Sequence, residues 1–162
     1  MLQATLGLLA GLSAAKHSTA SKANGWLELR PPVQVPRQAV RSPWQTHSFE
    51  ARFERKPGVA GVLDGLLLRL PHSPGSDDLK AFCTLCPHEI CTVRLQQVRL
   101  PRDAGEKPHF LCPCHQSVFD PLADGALISG PAPRGLYRFA VTSSASTINV
   151  VGVEEAALAL FI

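Results

Sequence analysis

The sequence has 162 residues, 45% of them hydrophobic and 18% charged, with a formal net charge of +3. Such a chain can bury the core of one domain and is not a disordered polymer, and so small a charge without any Lys/Arg run argues against a nucleic-acid partner. Fourteen prolines and twelve glycines favour short strands and ordered loops over long helices.

Residues 2–15 (LQATLGLLAGLSAA) are apolar and small, but shorter than the roughly 20 residues that span a bilayer. No basic residue precedes them, as one would in a secretory signal, and Lys16 and Lys22 follow instead. A truncated membrane anchor or signal, an atypical signal peptide and a helix packed on the domain all stay open. Residues 16–25 are polar and small and read as a linker, so 1–25 is set apart from a domain over 26–162. Four prolines between Arg30 and Trp44 require extended chain there. Phe49, Ala51 and Phe53 alternate with Glu50, Arg52 and Glu54 as in a half-buried strand. Val62 to Leu70 reads as a more buried strand closed by Pro71. His72 to Asp78 is a turn, and Leu79 to Phe82 a strand. Thr92 to Leu100 alternates, with Val93, Leu95 and Val98 on the less polar side. Leu136 to Val141 and Thr147 to Val153 are two further strands around the turn-rich SSAS. Only Glu154 to Ile162 and the N-terminal segment look helical. The whole is an all-β, antiparallel protein.

Five cysteines in so short a chain are the most informative number. Four of them fall into two clusters about 25 residues apart, Cys86-Pro87-His88-Glu89-Ile90-Cys91 and Cys112-Pro113-Cys114-His115-Gln116-Ser117. Each cluster offers a thiolate and an imidazole at short spacing, C-x-H and C-x-x-H, plus one more cysteine. Thiolates with imidazoles suit iron–sulfur or zinc. A helical zinc finger keeps its cysteines on one hairpin and its histidines on one helix, whereas both loops here are mixed and carry proline. With two irons, one can take both cysteines and the other both histidines.

These residues resemble the Rieske iron–sulfur family, in the branch found in cytochrome bc and b6f complexes, which carries C-T-H-L-G-C and C-P-C-H-G-S. Both cysteines and the histidine of the first box match, and five of the six positions of the second. Phe119-Asp120 follows the second box as Y-D does in the family, and Gly130-Pro131-Ala132-Pro133 is similar to its proline loop. The resemblance covers roughly residues 60 to 142. It implies an antiparallel β base with a cluster-binding subdomain of about residues 83–122 inserted between strands. It implies one [2Fe–2S] cluster, with Cys86 and Cys112 on the inner iron and His88 and His115 on the outer. It also implies a disulfide between Cys91 and Cys114, which suits an oxidising compartment; Cys83 is left over as a small buried core residue. Ser117 matches a serine that donates to a bridging sulfide. Phe119 stands where a tyrosine often donates to a ligand cysteine, and Pro131 lies in the covering loop.

By the same resemblance the function is one-electron transfer as the iron–sulfur subunit of a quinol-oxidising complex, with no catalysis by this chain alone. The implied partners are a cytochrome b-type subunit, a c-type cytochrome acceptor and quinol at the interface, where His115 is the foremost quinol contact. The implied location is the periplasmic or outer face of an energy-transducing membrane, reached through an N-terminal anchor. The small subunit of an arsenite-oxidase-like molybdoenzyme, a soluble Rieske carrier and a zinc-stabilised binding module are the alternatives. Two departures stand out: Glu89 and Ile90 replace a leucine and a glycine of the first box, and Gln116 replaces a glycine of the second. The family's leucine docks against cytochrome b, so a carboxylate in its place bears on the partner more than on the cluster.

Overall fold

The computed structural model describes residues 25–71, 78–98 and 107–162. The N-terminal segment expected at 2–15, nearly all of its linker and most of the turn at 72–78 lie outside them. Among the described residues, ten strands run in the order β1 (Trp26–Pro36), β2 (Thr46–Lys56), β3 (Val59–Arg69), β4 (Leu79–Cys83), β5 (Arg94–Val98), β6 (Lys107–Leu111), β7 (Val118–Asp120), β8 (Ala126–Ser129), β9 (Arg138–Ser143) and β10 (Thr147–Glu154). Six close into an antiparallel barrel in the order β1-β10-β9-β4-β3-β2, and the other four form a second sheet, β5-β6-β7-β8. Among the described residues no helix is long and apolar enough to cross a membrane.

The register of β2 on β3 follows from side-chain size. Phe49, Ala51 and Phe53 face the barrel interior, opposite Gly65, Leu63 and Gly61. A Cβ on Gly65 would lie 2.2 Å from the Phe49 ring, and one on Gly61 2.7 Å from that of Phe53. Each ring therefore lies across a glycine, and a slip by one residue would turn both rings outward. The expected strand from Val62 begins three residues earlier, at Val59, and so takes in Gly61.

The leucine run of β3 serves two cores. Leu67 enters the barrel core with Leu29, Val35, Ile148 and Val150. Leu68 points the other way, into a second cluster with Phe82, Phe110, Phe119, Leu136 and the buried Cys86 and Cys112. At the C-terminus the expected helix is a 3-10 helix over Glu155–Phe161; Ala157 is buried in the barrel core, and Phe161 packs edge-on to Phe53 at 5.8 Å. The proline-bearing stretch is extended through Pro36, then tightens into a 3-10 turn at Arg37–Val40.

The chain leaves the barrel after β4 and re-enters at β9, which pair with each other through Ala81 with Phe139 and Phe82 with Arg138. Everything between, including the second sheet, is therefore an insertion between neighbouring strands. Sheet pairing in this insertion runs on to Ser129 at the end of β8.

Candidate metal centre

Two loops at one end of the second sheet carry the cysteine–histidine boxes, and they share one backbone design. In the first, the Cys86 N–H donates to the Cys91 carbonyl and the Ile90 N–H to the Cys86 carbonyl, both at 2.9 Å. In the second, the Cys112 N–H donates to the Ser117 carbonyl at 2.8 Å and the Gln116 N–H to the Cys112 carbonyl at 3.0 Å. Closing each turn puts its fifth residue in the left-handed region, with φ 49° at Ile90 and φ 58° at Gln116. Glycine would take that conformation without strain, and a β-branched residue takes it at a cost.

The paired turns direct like groups together. Cys86 and Cys112 are buried and unbridged, and their thiols are in hydrogen-bonding contact. Burial foremost, and the adjoining Cys112 thiol, push the Cys86 thiol upward, against the backbone N–H groups of His88 and Glu89 that point at its sulfur. The imidazoles of His88 and His115 meet edge to face with centroids 4.8 Å apart. Cys91 and Cys114 form a disulfide across the two loops. Cys83 stands apart in the barrel core, where burial pushes its thiol up to about 12.

A third loop closes the site. The Ala132 N–H donates to the hydroxyl of Ser117, which is fully buried, at 3.2 Å. A Cβ on Gly130 would lie 2.4 Å from the Ser117 Cα, so only glycine allows this approach. Pro131 is exposed on the outside of the same loop. Phe119 is fully buried, paired with Phe110 across β7 and β6. Behind the loop, Glu154 of β10 receives Arg134 at 2.7 Å and Arg138 at 2.6 Å. Arg134 also lies over the Tyr137 ring, 4.2 Å from its centroid. This brace escapes sequence reasoning, since residues 134 and 154 share no pattern; the only hint is a basic residue directly after the proline loop.

The Rieske [2Fe-2S] domain family matches residues 52–143, more than half of the chain. The chain belongs to the Rieske family. Its cofactor is accordingly a [2Fe–2S] cluster. Among related Rieske proteins, the cytochrome bc1 complex Rieske iron-sulfur subunit of Streptomyces lividans is 41% identical over 66 residues, 40% of this chain and 34% of that one. The corresponding subunit of Corynebacterium diphtheriae is 37% identical over 65 residues, 40% of this chain and 14% of that one. The cytochrome b6-f complex iron-sulfur subunit of a Synechococcus strain is 34% identical over 95 residues, 59% of this chain and 46% of that one. The chain thus matches less than half the length of each. Among solved structures, the soluble domain of Rieske protein II from Sulfolobus acidocaldarius has 25% identity and a TM-score of 0.40, covering 52% of this chain and 45% of that one.

The donor chemistry fits this Rieske cofactor. His88 Nδ1 is buried with no hydrogen-bond partner, the only such side-chain atom among the described residues. A buried ring nitrogen without a partner is costly unless something coordinates it. Two adjacent buried thiols and two adjacent imidazoles are the ligand set of a Rieske centre.

Proposed function

We propose that this chain is a one-electron carrier, the Rieske subunit of a quinol-oxidising cytochrome bc-type complex, with its cluster held by Cys86, Cys112, His88 and His115. The observation that carries the reading is the unpartnered, buried His88 Nδ1 beside the His115 ring. When bound, the cluster supplies a one-electron couple in the range of about −150 to +300 mV, raised above all-cysteine clusters because two ligands are neutral.

The chain's own residues set where in that window it falls. The N–H groups of His88 and Glu89 point at the Cys86 sulfur, and donors to ligand sulfur stabilise the more negative, reduced state. The Ser117 hydroxyl accepts from Ala132 and keeps its own proton to donate inward. Burial of Cys86 and Cys112 excludes water from one side of the centre, while the His115 side chain is 46% exposed and faces a docking partner.

The named relatives support membership of a bc-type complex; its partners would then be a cytochrome b-type subunit, quinol at the interface and a c-type cytochrome acceptor. The location would then be the outer face of an energy-transducing membrane. An arsenite-oxidase-like small subunit is the second reading, favoured because Glu89 puts an exposed carboxylate where the bc branch has an apolar docking tip.

Redox-poised EPR of the reduced, purified protein tests the proposal. A rhombic signal of low average g at positive potential is the expected result. The same signal at strongly negative potential would move the chain to ferredoxin-type carriers. Bound zinc and no signal, from a host supplying both metals, would refute the cluster ligation itself.

A further inference from the structure

The exposed corner of the first ligand loop differs chemically from everything around it. Across residues 84–92, 112–117 and 129–133, which make up the three loops of the site, Glu89 is the only acidic or basic side chain other than the two histidines. Its carboxylate lies 3.7 Å from His115 Nδ1, and its side chain is 62% exposed. Ile90 beside it is 58% exposed, with its backbone at φ 49°. An apolar knob and a carboxylate thus stand together at the rim of the histidine pair.

A partner that takes electrons through these histidines must approach them closely, and in doing so it covers Glu89. Covering a carboxylate without a counter-charge costs more than the adjoining apolar contact returns. A cation on the partner reverses that balance and fixes the register of docking. The chain's net charge of +3 gives no long-range attraction for such a partner, so the selection acts at contact range.

We infer that Glu89 and Ile90 select a protein redox partner whose docking face carries a lysine or arginine beside a shallow apolar recess. This rests on the electron-carrier reading. It would make residues 89 and 90 specificity determinants, distinct from the groups that hold the cluster.

The test follows oxidation of the reduced holoprotein by stopped flow against two c-type cytochromes, one with a lysine-ringed haem edge and one with an acidic face. Wild type, Glu89→Gln, Glu89→Lys and Ile90→Ser are compared over a range of ionic strength. The midpoint potential of each is measured so that driving force is taken into account. With the basic cytochrome at low salt, the rate constant is expected to fall about threefold in Glu89→Gln and about tenfold in Glu89→Lys, with a flatter salt dependence. With the acidic cytochrome, Glu89→Lys is expected to gain. Ile90→Ser should slow the basic pair without changing its salt dependence. Rate constants that agree within twofold across the residue 89 variants would overturn the inference, as would equal losses with both cytochromes. If ferricyanide accepts the electron and neither cytochrome does, the docking inference falls alone. If ferricyanide fails as well, the carrier reading falls and takes the inference with it.

Discussion

Three side chains, two beside the centre and one apart from it, show how much depends on single atoms. Phe119 is fully buried in the same cluster as Cys86 and Cys112 and has no hydrogen-bond donor. Phe119→Tyr adds a hydroxyl where the resemblance puts a donor to ligand sulfur. One such bond to a charged acceptor is worth about 1.5 kcal/mol, on the order of 60 mV for a one-electron couple. Potentiometric EPR is therefore expected to show a higher midpoint potential; an unchanged one would remove Phe119 from the tuning set. Ile90 offers a second test, on stability. Its left-handed backbone, φ 49°, costs an L-residue roughly 1–2 kcal/mol, and its exposed side chain gives up no core contact. Ile90→Gly should thus raise the urea midpoint by about 1 kcal/mol equivalent, without loss of the cluster signal. Cys83 completes the contrast. Its identity as a cysteine raises a redox question, which its place in the barrel core answers: burial holds the thiol protonated near neutral pH.

At the scale of elements, the two cysteine–histidine loops are one turn used twice and tied by a covalent bond. The Cys91–Cys114 disulfide spans 23 residues of sequence, and closing a loop of that size removes unfolded-chain entropy worth about 3 kcal/mol. Cys91→Ala/Cys114→Ala is expected to lose about that much stability by urea denaturation and to retain less cluster after purification. Full stability in the double variant would mean that the proline loop alone holds the pair. The residue types and spacing of these loops are legible in the sequence because they are local. Much of what surrounds them is not. Val118–Asp120 has three residues, too few to display a period of two. Lys107–Leu111 carries a proline and a buried histidine, so its pattern reads as loop. The barrel strands with long alternation, such as Thr46–Lys56, are readable from the pattern alone. The glycines of β3 are not, because their purpose lies in rings on another strand.

For the molecule as a whole, the joint between barrel and insertion is electrostatic as well as apolar. Glu154 is 9% exposed and holds Arg134, just past the proline loop, and Arg138 on β9. Its replacement leaves two guanidinium groups without their shared carboxylate. Because both arginines keep some contact with water, Glu154→Gln should cost roughly 2 kcal/mol, at the lower end for a partly buried network. Thermal melts would measure this, and EPR line shape would report any loosening of the proline loop. The network continues through Asp124, which accepts from Lys80 at 2.7 Å. The Lys80 ammonium, aided by Arg138, holds the Asp124 carboxyl below its ordinary value of 3.8. Folding therefore gains from this pair above that value, and the gain fades as acidification carries the pH down through the lowered folded-state value. Asp124→Asn should be less stable than wild type near neutral pH and should lose less on acidification below about pH 4. Parallel melting curves for the two proteins across that range would rule this account out.

The insertion departs from β4 and returns on β9, strands that are hydrogen-bonded neighbours in the barrel. Its two ends are thus as close as the arms of a hairpin, and the barrel keeps its own core, separate from the cluster beneath the ligand loops. A tight turn joining Cys83 to Arg138 would complete a six-stranded barrel with every strand still paired. The redox unit is in this sense a removable cartridge. Loops and sheets of different length can be exchanged at that one seam without disturbing the order of the barrel strands.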